Sequence, residues 1–137
     1  DSSYISDSYL PSALERLKIY KLINNVKDTD ELNIISANLA DRCGALPEEV
    51  ANLISNARMA LLIKESGILK INSTSTKTSF LLSTKIKKEI FEKILTLVTN
   101  EPNNYSISKD NKFISNINES SNTKRREMVF NLLNEII

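Results

Sequence analysis

Cys43 is the chain's single thiol, and no histidine stands anywhere in the 137 residues to deprotonate it. That removes imidazole bases, Cys–His and Ser–His pairs, disulfide frameworks and zinc sites made from the usual nitrogen and sulfur ligands. Free cysteine is among the most buried residue types, so Cys43 reads as a small hydrophobe and not as a nucleophile. Paired carboxylates could do acid–base work, but Asp28 and Asp30 stand where a helix needs a cap, and Glu48-Glu49 follow Pro47 where acids face the positive end of a helix dipole. Two glycines, Gly44 and Gly67, cannot make a glycine-rich phosphate loop. The residue types suit binding; no enzyme activity and no cofactor are expected of this chain.

Charge sets a second bound. Lys and Arg number 18 against 17 Asp and Glu, a net charge of +1 that gives no broad field for DNA or an anionic membrane. Two local clusters remain, Lys85/Lys87/Lys88 and Lys124/Arg125/Arg126, each placed at the expected start of a helix, where positive charge is disfavoured. As a phosphate-binding patch they would have to converge in space with aromatic side chains beside them. As a solvated face they would need nothing, and most charge runs are of that kind. The longest apolar runs, such as Met59 to Ile63, are far short of the ~20 residues that cross a bilayer. A soluble, cytoplasmic chain is expected, with no membrane contact. The chain opens Asp1-Ser2-Ser3, with neither Met nor a secretory leader, and is read as one domain excised from a larger protein, with residues 1–11 as a leading arm.

The elements that would position these residues follow from periodicity. Residues 12–26 start at a Ser12 cap and carry Ala13, Leu14, Leu17, Tyr20 and Ile23 at helical spacing, which predicts an amphipathic helix buried on those five. A second helix over about 30–43 would bury Leu32, Ile35, Leu39 and Cys43 and end at Gly44. A third opens at Pro47, carries Val50, Leu53, Ile54, Ala57, Ala60 and Leu61, and stops at Gly67. The period then becomes two: Leu69 and Ile71, then Thr78, Phe80 and Leu82, with Ser73-Thr74-Ser75-Thr76 as the turn. A fourth helix is predicted over about 84–99 on Ile86, Ile90, Ile94 and Leu97. It is followed by strands holding Tyr105 and Ile107, then Phe113, Ser115 and Ile117, and by a last helix from about 121 with Val129, Leu132, Leu133 and Ile136. The order ααα-ββ-α-ββ-α predicts an α+β fold, with helices packed on a small antiparallel sheet built from two hairpins.

Two stretches carry a family likeness. Tyr9-Leu10-Pro11-Ser12, Arg16-Leu17 and Tyr20-Lys21 form the first. The second runs Glu31-Leu32, Leu39, Asp41-Arg42-Cys43-Gly44-Ala45-Leu46-Pro47, Val50, Leu53, Ala57-Arg58 and Gly67-Ile68. Together they resemble the C-terminal, TRCF domain of bacterial transcription-repair coupling factors, closely to about residue 71 and weakly beyond. Three positions depart from that pattern: Cys43 stands for an aromatic, Ser12 for Asp, and Asn38 for a frequent Glu.

The resemblance implies a parent that is an ATP-dependent, helicase-like DNA translocase using ATP and Mg, and that binds RNA polymerase, UvrA and DNA in transcription-coupled nucleotide excision repair. Within it, the resemblance implies that this domain docks on the N-terminal UvrB-like module and masks its UvrA-binding surface, an autoinhibitory role. The docking positions carried over are Asn38, Asp41 and Arg42. On a helical wheel Ile34, Asn38 and Asp41 fall in one line beside Arg42, away from the buried stripe, so all four form the candidate protein-interaction patch. Asp41 and Arg42 could equally be the polar decoration of a helix end. Arg58 is expected to pair with Asp41 or a neighbouring carboxylate between the second and third helices. The alternative function is an auxiliary nucleic-acid-binding module using the two basic clusters.

Overall fold

A computed structural model describes residues 2–137 as two compact units, Asp1–Leu62 and Ile63–Ile137. The first holds α1 (Ala13–Asn24), α2 (Thr29–Cys43) and most of α3 (Glu48–Ser66). The second holds the end of α3, β1 (Ile68–Ser73), β2 (Lys77–Leu82), α4 (Lys88–Asn100), β3 (Tyr105–Ile107), β4 (Lys112–Asn116) and α5 (Asn122–Ile136). The element order is the one the periodicity predicts.

In the first unit the core is Ile5, Leu10, Ile19, Ile23, Leu32, Leu39, Val50, Ile54 and Leu61, with Tyr9, Tyr20, Ile35 and Cys43 half-buried against it. Residues 4–11, ahead of α1, are fastened to the first unit. The Tyr4 amide donates to the Glu49 carbonyl at 3.2 Å. The Ile5 amide donates to the Tyr20 hydroxyl at 2.6 Å, and the Arg16 guanidinium donates to the carbonyls of Leu10 and Pro11 at 2.7 and 2.9 Å.

Those anchors correct the reading of α1. Leu14 and Leu17, expected in the core, lie in solvent; Ile19 and Ile23 are the helix's buried residues. Arg16, Ile19, Tyr20 and Ile23 follow i, i+3, i+4, i+7 spacing, so fixing Arg16 and Tyr20 to the preceding segment turns that face inward. A charged residue among the four hides this stripe from an apolar count. In α3 the stripe likewise shifts by one residue: Met59 is buried and Ala60 is exposed.

In the second unit the strands form one antiparallel sheet in the order β1-β2-β4-β3, each hairpin contributing an inner and an outer strand. Phe80 of β2 pairs with Phe113 of β4, their rings 5.5 Å apart at 27°, and Tyr105 continues the stack at 5.7 Å. Alternation sends Thr78, Phe80 and Leu82, and Phe113 and Ser115, to the buried face. Ile68 of β1, Ile90 and Ile94 of α4, Ile117 after β4, and Leu132, Leu133 and Ile136 of α5 are buried with them. Buried Thr78 is satisfied by the Ser73 hydroxyl at 2.9 Å.

The fourth helix begins at Lys88, four residues later than its apolar spacing predicts. The carbonyls at the end of α3 take the intervening amides: Ser83 N–H donates to Gly67 at 2.8 Å and Lys87 N–H to Ser66 at 3.0 Å. Lys85 and Lys87 therefore precede the helix, and only Lys88 lies inside it. The same closure brings the Ile86 backbone against Gly67, so close that an added Cβ would meet Ile86 Cα at 2.5 Å.

Both glycines with positive φ can be separated by one experiment. Gly44, at φ +92° and ψ −173°, has open space around its missing Cβ, so Gly44→Ala should cost backbone strain alone, about 1 to 3 kcal/mol. Gly67→Ala, at φ +97°, adds displacement of the Ile86 backbone and should cost more, on the order of 3 kcal/mol or above. Chemical denaturation of the two variants checks the ranking; equal losses would exclude the steric contribution.

Candidate interaction surface

The candidate patch is carried by α2, and both ends of that helix are well capped. Asp28 accepts from the Glu31 amide at 2.9 Å, and the Glu31 carboxylate reaches back to the Lys27 amide at 3.0 Å, a reciprocal arrangement of the capping-box kind. At the other end Gly44 takes a backbone conformation that only glycine occupies readily, and its amide donates to the Ala40 carbonyl at 3.0 Å. The Tyr9 hydroxyl adds a contact from outside the helix, its one proton shared between the Gly44 oxygen at 2.8 Å and that of Leu39 at 3.2 Å.

All four candidate residues, Ile34, Asn38, Asp41 and Arg42, are exposed on this helix; Ile34 keeps 61% of its surface in solvent. Arg42 is not free. Its guanidinium lies 3.3 Å from the Glu15 carboxylate of α1, with both side chains partly in water, so the pair contributes no more than about 1 kcal/mol. Among the described residues Asp41 makes no ion pair. The partner expected for Arg58 is corrected: it donates to the side-chain oxygen of Asn33 on α2 at 2.7 Å, an amide and not a carboxylate. Cys43 is half-buried, more open than a core thiol.

The basic clusters behave differently from each other. Lys85, Lys87 and Lys88 are exposed, Lys88 lying 3.9 Å from Glu92 one turn on. In the second cluster Arg125 is consumed locally, donating to the carbonyls of Glu119 and Ser120 and to the Asn122 side chain, while Lys124 and Arg126 stay exposed. Among the described residues no group of three or more His, Cys, Asp or Glu side chains is arranged to hold a metal ion. The depression beside α4 and α5, about 430 Å³, is lined by Glu89, Glu92, Lys93, Thr96, Leu97 and Glu135. No helix among the described residues is long and apolar enough to cross a membrane.

Two functional details were out of reach of the sequence: the Tyr9 bridge and the Glu15–Arg42 pair. Each joins residues distant in the chain, and no periodicity records which side chains meet across two helices.

The family model of the TRCF domain matches residues 2–93, well over half of the chain. The chain belongs to the TRCF domain family. Its TRCF relatives include the transcription-repair-coupling factor of Rickettsia conorii, 29% identical over 113 residues, which are 82% of this chain and 10% of that protein. The transcription-repair-coupling factor of Haemophilus influenzae is 29% identical over 132 residues, 96% of this chain and 11% of that protein. The chain thus spans about a tenth of the length of these relatives. A crystal structure of the C-terminal domain of transcription-repair coupling factor superposes with a TM-score of 0.66 at 14% identity, over 99% of this chain and 87% of that one. The likeness of fold therefore extends through α5, beyond residue 93 where the match to the family model ends. A further alignment, 33% identical over 107 residues, pairs 74% of the chain with 71% of the Sec-independent protein translocase protein TatB of Campylobacter fetus; neither the family model nor the superposition agrees with it.

The Tyr9 bridge yields a measurable consequence. Burial, and then the neighbouring Cys43, push the Tyr9 phenol above its ordinary pKa of about 10. A raised acid pKa means the folded state keeps its proton longer than the unfolded one. The stability this contributes is whole below pH ~10 and is lost as pH rises above it. Tyr9→Phe should cost about 1 kcal/mol near neutral pH, flatten the alkaline loss, and speed amide exchange at Gly44. Urea titrations from pH 7 to 11 with hydrogen exchange measure all three; unchanged exchange at Gly44 would remove the bridge from the account of α2.

Proposed function

We propose that this TRCF domain is a non-catalytic regulatory module of a transcription-repair coupling factor, acting as one domain that docks on the parent's N-terminal UvrB-like module and masks its UvrA-binding surface. The reading rests on one observation above others: Ile34, Asn38, Asp41 and Arg42 stand exposed on a helix whose ends are fixed by Asp28, Gly44 and Tyr9. A preformed, rigid patch docks without the entropic cost of ordering it. Ile34 supplies an apolar anchor, and Asp41 a carboxylate with no ion pair among the described residues. Arg42 would have to leave Glu15 or bring it along, a modest cost for a half-exposed pair.

In this reading ATP and Mg serve the parent's motor and the domain takes no cofactor. RNA polymerase and DNA bind elsewhere on the parent, the domain touches neither nucleic acid nor membrane directly, and it works in the cytoplasm. The alternative, nucleic-acid binding through Lys85/Lys87/Lys88 and Lys124/Arg125/Arg126, is weakened by Arg125, whose guanidinium is held by local acceptors through both terminal nitrogens.

Masking makes apparent UvrA affinity depend on the open fraction of the parent. Asp41→Ala with Arg42→Ala should weaken docking by about 2 to 3 kcal/mol if the charges are desolvated there, and tighten UvrA binding up to about 30- to 150-fold when the closed form dominates. The isolated variant should keep its thermal midpoint. Deleting the domain from the parent gives the upper limit, and unchanged UvrA affinity after deletion refutes masking. The isolated chain should bind no duplex DNA at physiological salt; tight, salt-sensitive binding abolished by Lys124→Ala, Arg125→Ala and Arg126→Ala would favour the alternative.

A further inference from the structure

Helix α1 turns all three of its leucines to solvent: Leu14 is 63% exposed, Leu17 50% and Leu22 53%, while Ile19 and Ile23 alone are buried. At 100° per residue, Leu14, Leu17, Lys18, Lys21 and Leu22 share a sector of about 140° opposite the buried pair. Singly exposed apolar residues are ordinary, but these three occupy one face along about 12 Å, two turns of helix. The charge on that face has one sign. Lys18 and Lys21 are exposed and make no ion pair among the described residues, and the nearest carboxylate, Glu15 at the edge of the sector, is engaged by Arg42.

We propose that the outward face of α1 docks an acidic amphipathic helix of a separate protein. Leucines spaced by three, five and eight residues form a ridge that a second helix receives between its own side chains, and the two lysines reach carboxylates flanking that helix's apolar stripe. A second copy of this chain is a poor occupant, because self-pairing of α1 would set lysines against lysines. A membrane surface is a poor one too: two lysines and three leucines, with no aromatic side chain on the face, give little insertion and little attraction to anionic lipid. The surface adjoins the α2 patch through the Glu15–Arg42 pair but presents lysines where that patch presents the Asp41 carboxylate, so substitutions at Leu14, Leu17, Lys18 and Lys21 test it without touching the masking residues.

The test is an NMR titration of the isotope-labelled 137-residue chain with a synthetic helical peptide of about 20 residues, with leucines at helical spacing and glutamates on both flanks. Expected are shift changes confined to Ala13–Asn24 and binding that weakens as salt rises. A loss of about tenfold or more is expected for Leu14→Ser with Leu17→Ser, and likewise for Lys18→Glu with Lys21→Glu, at unchanged thermal midpoint. A control peptide with lysines for glutamates should not bind. Absent shifts, shifts centred elsewhere, or equal binding of the control peptide would overturn the proposal. So would a dimer, seen by sedimentation without peptide, that the leucine variants dissolve, which assigns the face to a second copy. Tight binding to phosphatidylserine vesicles lost in the same variants would assign it to membrane instead.

Discussion

The contact of the Tyr9 hydroxyl with the end of α2 is the one on which the arrangement of the first unit depends. Gly44 turns the backbone where other residues would be strained, and the Tyr9 hydroxyl takes up carbonyls of Leu39 and Gly44. Tyr9 can reach them because its own segment is fixed by Arg16 and Tyr20. One chain of contacts thus runs from the residues before α1, through α1, to the end of α2. The motif residues Tyr9, Arg16, Tyr20 and Gly44 belong to this single fastening, and it holds Asn38, Asp41 and Arg42 on a rigid, exposed helix end.

The second unit uses the same economy at a glycine. Beyond Gly67 the chain enters β1, and the carbonyls of Ser66 and Gly67 are satisfied by amides of Lys87 and Ser83, far along the sequence. That satisfies polar backbone atoms at the price of any side chain at Gly67, because Ile86 fills the space. It also delays α4 and strips the first lysines from its opening turn. The aromatic stack of Phe80, Phe113 and Tyr105 then ties the two hairpins into one sheet.

Function in such a molecule is a matter of which surfaces stay unspent. The chain has no His, its one Cys43 is half-buried, and the Asp28 and Glu31 carboxylates are employed at the start of α2. What remains is charge and apolar surface on α1 and α2. Exposed ion pairs such as Glu15–Arg42 add little to stability, and where such charges meet a partner they select it more than they tighten it.

Periodicity, caps and breakers were enough to determine the element order, the α+β class, the buried stripes of α2 and α5 and the outward position of Ile34, Asn38 and Asp41, because each depends on residues within two or three turns of one another. The family likeness was equally local, concentrated in the turn between α2 and α3. Tertiary contacts alone decided the rest. Leu14 and Leu17 alternate as a core stripe should, yet Arg16 and Tyr20 bind the preceding segment and rotate α1 so that both face water. Ile86 has the spacing of a helical residue, yet amides around it are drawn to Ser66 and Gly67 before α4 can begin. In both cases a hydrogen-bonding group outside the helix, five to 21 residues away along the chain, competed with the local pattern and won, since a buried backbone amide or carbonyl left unpaired costs more than a leucine left in solvent.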